Sequence, residues 1–128
     1  MEIREYQHWL EEWDRARGWD RVSPSHTLLH ALEEMGEVAR LILQLEGYKP
    51  ADDLDAVQAE LANELSDLFV FLFKLAYQCG IDIEEALQTG QAKADQRYSD
   101  LEAAGAELDR YLHRQAENLA RLQHWDES

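Results

Sequence analysis

The stretch from about residue 53 to 78 sets the strongest limit on what this chain can fold into. Leu54, Val57, Leu61, Leu65, Leu68 and Leu72 recur at the helical period, and Phe69, Phe71 and Phe73 carry apolar surface around nearly the whole circumference. A helix that is apolar on all sides has to be buried against more than one neighbour. The flanking segments supply such neighbours. Ile3, Tyr6, Leu10 and Trp13 form one stripe of a helix over about 2–17, which Gly18 ends. After the loop G-W-D-R-V-S-P-S, a second helix is expected to start at Ser23-Pro24 or Ser25 and to run to Gly47. Its core stripe reads Leu28, Leu32, Met35, Ala39 and Ile42, widened by Leu29, Leu41 and Leu45.

Cys79-Gly80 stops the third helix. Asp82 with Glu85 predicts a capped fourth helix over about 83–97, and Ser99 with Glu102 a capped fifth over about 100–123. Pro24 and Pro50 both fall where the apolar period breaks. The expectation is an all-α protein, a four-helix-type bundle of about five helices. It reads as a single domain over 1–128, with a core at about 1–98 and an extra C-terminal helix. The third helix offers more apolar surface than one bundle of this size uses, so a homodimer or homotetramer is expected.

Composition narrows the function. A net charge of −15 argues against a nucleic-acid polymer or an anionic membrane as the main partner. No apolar run reaches the length of a membrane span, and Met1–Glu5 has no signal-peptide character. The lone Cys79 rules out an internal disulfide framework and fits a reducing compartment. The expected setting is cytoplasmic.

Two acidic pairs break the hydrophobic pattern. Glu34 and Glu37, preceded by Glu33, lie in L-L-H-A-L-E-E-M-G-E-V; Glu64 and Asp67 lie in E-L-S-D-L-F-V-F. Residues three apart are neighbours on a helix, so each pair projects two carboxylates from one face. A hard divalent ion such as magnesium reverses the resulting repulsion. By spacing alone, a metal site and a solvated acidic groove both stand. Asp67 points to the former, because a short acidic side chain inside an apolar stretch needs a partner, a proton or a cation. Lys93 and Arg97, four apart, project together and suit phosphate oxygens, although pairing with carboxylates or plain solvation explains them as well.

Taken together, E-E-M-G-E at 33–37, E-L-S-D at 64–67 and K-A-D-Q-R-Y at 93–98 resemble the MazG-like all-α nucleoside triphosphate pyrophosphohydrolases. The resemblance covers roughly residues 1–98 and departs from the family pattern at Gln91, where many relatives have Asn. It implies hydrolysis of a nucleoside triphosphate, NTP or dNTP, to the monophosphate and pyrophosphate. It also implies Mg2+, with Mn2+ as a substitute, on Glu34, Glu37, Glu64 and Asp67. Glu33 would orient or deprotonate the attacking water, or is an ordinary surface glutamate. Lys93 and Arg97 would hold the phosphates.

The aromatic concentration of Tyr6, Trp9, Trp13 and Trp19 offers faces for a nucleobase; Trp13 belongs to the core stripe, leaving Trp9 and Trp19. His30, one turn before Glu34, either touches the substrate or is a structural histidine. Rival readings are a non-enzymatic acidic interaction module, a related all-α dUTPase or phosphoribosyl-ATP pyrophosphatase, and a di-iron bundle. The last needs Glu-x-x-His on two helices, and Glu5–His8 is the only such pair.

Overall fold

Each helix start in the computed structural model, which describes residues 1–124, has a local chemical cause. Helix α1, Ile3–Arg17, opens on a capping box in which the Glu2 N–H donates to the Glu5 carboxylate at 3.2 Å. It closes at Gly18, whose φ of +74° is a left-handed conformation that favours glycine. A short 3-10 turn, Trp19–Arg21, follows. Helix α2, Pro24–Leu45, has Ser23 as its cap: the His26 N–H donates to Ser23 Oγ at 3.2 Å. Asp53 caps α3, Leu54–Gln78, by accepting the N–H groups of Asp55 and Ala56.

Helix α4, Ile83–Arg97, starts with the Glu85 N–H donating to Asp82. Helix α5, Leu101–Gln123, is capped by Asp100, which accepts the Ala103 N–H at 3.1 Å. The expected cap, Ser99, lies one residue too early to reach the free donors of the first turn. The described residues form helices and turns, and the fold is all-α, as expected. No helix among them is long and apolar enough to cross a membrane.

The chain divides into two compact units, Met1–Leu87 and Gln88–Ser128. In the first unit α2 and α3 run antiparallel, and four contacts read out their register. Thr27 Oγ1 donates to Gln78 Oε1 at 2.8 Å, and the His30 ring stacks on Phe71 at 5.4 Å between centroids. Glu34 meets Glu64 and Asp67, and Arg40 donates to Glu60 at 2.9 Å. Helix α1 packs on α3 through Leu10 and the Tyr6–Phe73 edge contact at 5.1 Å. The buried Gln7 side chain donates to Ile81 O at 2.6 Å and accepts the Ile83 N–H at 3.0 Å, fixing α1 to the start of α4.

The expected α2 stripe faces outward. Leu28, Leu32, Met35, Ala39 and Ile42 are exposed, and the buried positions are Thr27, Ala31 and Leu41. Helix α2 is apolar over so wide an arc that two stripes compete. Only the one carrying Thr27 and Glu34 brings polar groups to partners on α3, which spares them the cost of burial without a hydrogen bond. On α3, Val57 and Leu68 are buried, whereas Leu54, Leu65, Phe69 and Leu72 are exposed. Along α5 the apolar residues Leu101, Leu108, Leu112, Leu119 and Leu122 are exposed as well.

Leu41 is fully enclosed, with 0 % exposure. Leu41→Ala should therefore cost about 2–5 kcal/mol in urea unfolding; a smaller loss would mean that the α2–α3 core relaxes around the missing side chain.

Candidate active site

The antiparallel register delivers carboxylates from two helices to one point. Oxygen atoms of Glu34, Glu64 and Asp67 lie within 4.8 Å of one another. Glu34 and Glu64 are half-buried, and Asp67 is exposed rather than enclosed by the apolar stretch around it. The electrostatic consequence falls on Glu34, whose carboxyl is pushed up to about 7 from an ordinary 4.5. The largest cause is the hydrogen bond it shares with Glu64, followed by burial and the charges of Glu64, Asp67 and Glu37. In the absence of a cation, one proton serves as the group's counter-charge. An all-oxygen donor set from three convergent carboxylates is the chemistry a hard divalent cation takes, so the residues fit such an ion.

The neighbouring predicted residues divide. The Glu37 charge adds to the rise on Glu34, but Glu37 stands outside the three-carboxylate group. It accepts from Arg40 at 3.2 Å, and the same guanidinium donates to Glu60 at 2.9 Å. Glu60 thus has a partner on α2. Glu33 is exposed, rotated away from Glu34, and lies 3.9 Å from His30 Nδ1.

One helical turn from the carboxylates along both helices, a cavity of about 250 Å³ opens. Phe71 comes four residues after Asp67, and His30 four before Glu34. The cavity is lined by Trp19, Val22, His26, Thr27, His30, Phe71 and Lys74. Trp19 and His30 were expected at a substrate site, and the fold brings them to this one hollow. Trp9 is not among its lining; it packs between Tyr6 at 5.6 Å and Trp13 at 6.0 Å. Phe71 and Lys74 escaped sequence reasoning. The signal that finds Phe71 is its i+4 spacing from Asp67, which puts it on the same face of α3.

Lys93 and Arg97 stand on α4 within the second unit, both exposed and four apart, with the Arg97 guanidinium 5.3 Å from the Tyr98 ring.

Residues 22–101 match the MazG nucleotide pyrophosphohydrolase domain, which is more than half of the chain. The chain belongs to this family. Its domain is a nucleotide pyrophosphohydrolase domain, carried here on the helices that bring Glu34, Glu64 and Asp67 together. The family member is 27% identical over 103 residues to the uncharacterized protein YvdC of Bacillus subtilis, covering 77% of this chain and 97% of that protein. It is 30% identical over 90 residues to dCTP pyrophosphatase 1 of Mus musculus, covering 68% of this chain and 53% of that protein. The same protein of Rattus norvegicus matches at 30% identity with the same coverage. The chain therefore spans about half the length of these two pyrophosphatases. No solved structure gives a significant match.

The raised Glu34 value makes stability depend on pH in a defined direction. Between about 4.5 and about 7 the folded chain holds a proton that the unfolded chain has released, so stability falls as pH rises through that window. Thermal melts in chelator should show the midpoint dropping across this range, with Glu34→Gln flattening that part of the profile. An identical slope in the variant would show that other groups produce it.

Proposed function

We propose that this chain hydrolyses nucleoside or deoxynucleoside triphosphates to the monophosphate and pyrophosphate, as a cytoplasmic enzyme of nucleotide-pool housekeeping. The observation that carries the reading is the convergence of Glu34, Glu64 and Asp67 one turn from an aromatic cavity. These three carboxylates would hold Mg2+, with Mn2+ as a substitute. Glu37 joins them by leaving Arg40, a surface pair whose exchange costs little. A cation held there would supply neutralisation of phosphate charge and stabilisation of the attacking and leaving oxygens.

The chain's own groups do the rest. Glu33 is one residue from Glu34 and rotated by about 100° around α2, free of the ligand cluster, where its carboxylate accepts the proton of the attacking water. Lys93 and Arg97 bind phosphate oxygens, the arginine through its planar fork and the lysine as a point charge. Trp19 and His30 bind the base in the cavity, joined by Phe71, whose ring supplies a face for stacking. The name of the mammalian relatives makes dCTP the first substrate to offer.

Asp67→Ala and Glu37→Ala should each abolish magnesium-dependent pyrophosphate release from a panel of ribo- and deoxyribonucleoside triphosphates while the protein stays folded. Retained activity in both variants would refute the ligand assignment. Turnover of no triphosphate by the parent chain, together with no magnesium binding in calorimetry, would refute the enzymatic reading.

The working form is a homodimer or homotetramer. The support is the exposed apolar stripe of Leu28, Leu32, Met35, Ala39 and Ile42, a surface of the kind that monomers rarely leave in water. Leu32→Asp should shift the mass measured by light scattering to that of the single chain; an unaltered mass would place the contact elsewhere.

A further inference from the structure

Trp19 reaches the cavity from a turn only three residues long, and its ring is half exposed. Two side chains from α3 hold the backbone of that turn and of the residue after it. Lys74 Nζ donates to Trp19 O at 2.9 Å, and Gln78 Nε2 donates to Val22 O at 2.8 Å. The lysine is the unusual one, because it is buried, and lysines are rarely buried without a counter-charge. Asp14 of α1 supplies that charge, with Oδ2 3.4 Å from Nζ. Asp14 is itself buried and accepts a hydrogen bond from the Tyr77 hydroxyl at 2.5 Å. Burial and the Asp14 carboxylate push the Tyr77 phenol up, so the proton stays on the tyrosine and is donated to Asp14.

This buried arrangement ties α1, α3 and the Trp19 turn together through one ammonium group. A pair of this kind is poor at adding stability, since removing two charges from water offsets most of their attraction. What it does well is fix geometry. The ammonium bridges the Trp19 carbonyl and the Asp14 carboxylate, which Tyr77 holds in turn, and Lys74 itself lines the cavity. The Trp13 ring meets Trp19 edge-on at 5.3 Å, which steadies the side chain but leaves the backbone to Lys74.

We propose that Lys74, backed by Asp14 and Tyr77, is a positioning residue that sets Trp19 against the cavity and thereby governs how tightly the nucleobase is held. The proposal rests on the reading of the cavity as the base site. Lys74 acts through Trp19 on binding, and the carboxylate cluster does not depend on it.

The test combines hydrogen exchange with steady-state kinetics on the parent, Lys74→Met, Lys74→Arg, Trp19→Ala and the Lys74→Met/Trp19→Ala double variant. The Lys74→Met/Asp14→Asn variant is included because it removes the pair without stranding a buried carboxylate. Lys74→Met, or its Asp14→Asn companion, should speed amide exchange over residues 18–22 while α3 keeps its protection. It should raise KM for dCTP about tenfold, with kcat within about twofold, the pattern of a lost interaction that is equal in ground and transition states. Lys74→Arg should restore most of the loss, and Lys74→Met should add nothing once Trp19 is alanine.

The proposal is overturned if the lysine variants lower only the melting temperature, or if Lys74→Met multiplies the KM of Trp19→Ala by its full factor. Unchanged exchange over residues 18–22 overturns it equally, whether or not the parent turns over dCTP. Failure of the pyrophosphohydrolase reading shows itself separately, as absence of turnover by the parent.

Discussion

Three carboxyl groups drawn within 4.8 Å of one another are the constraint around which the first unit is organised. Nothing in the local structure of α2 or α3 favours that meeting. It is sustained because the two helices lock elsewhere along their length, through Leu41, Leu68 and the Thr27–Gln78 hydrogen bond. The crowding shows as a raised proton affinity on Glu34, chiefly through the hydrogen bond it shares with Glu64, with burial and repulsion from the neighbouring carboxylates adding to it. A site built in this way is poised to exchange a proton for a cation of higher charge, because both relieve the same repulsion.

The polar contacts between α2 and α3 select the register as well as lining the site. Apolar side chains alone leave α2 free to turn either of two stripes toward α3, since hydrophobic burial is non-directional. Hydrogen bonds are directional, and burying Thr27 or Lys74 without a partner costs free energy. Among the described residues no buried side-chain nitrogen or oxygen lacks a partner. The orientation that satisfies them all also brings Glu34 to Glu64, so folding specificity and the acidic cluster share one cause.

The cavity and the cluster sit one turn apart on the same two helices, with His30 and Phe71 in the register step next to Glu34 and Asp67. A rise of about 6 Å along each axis separates them. This is a natural spacing for a ligand with a flat apolar end and a charged end.

Helix identities, their boundaries and the acidic positions were legible in the sequence, because they depend on contacts within a few residues. The period of Leu54 to Leu72, the caps at Ser23 and Asp82, and the left-handed Gly18 are all local matters. The motifs at 33–37 and 64–67 contain the three carboxylates that the fold brings together, Glu34, Glu64 and Asp67. Which face of α2 is buried, how Arg40 captures Glu37 and Glu60, and how Lys74 reaches Trp19 were not legible. Those contacts join residues far apart in the chain, and their geometry exists only once α1, α2 and α3 have packed. Sequence determined the elements and the chemistry they carry; tertiary structure alone decided which of those groups meet, because pairing across helices is set by register and not by local propensity.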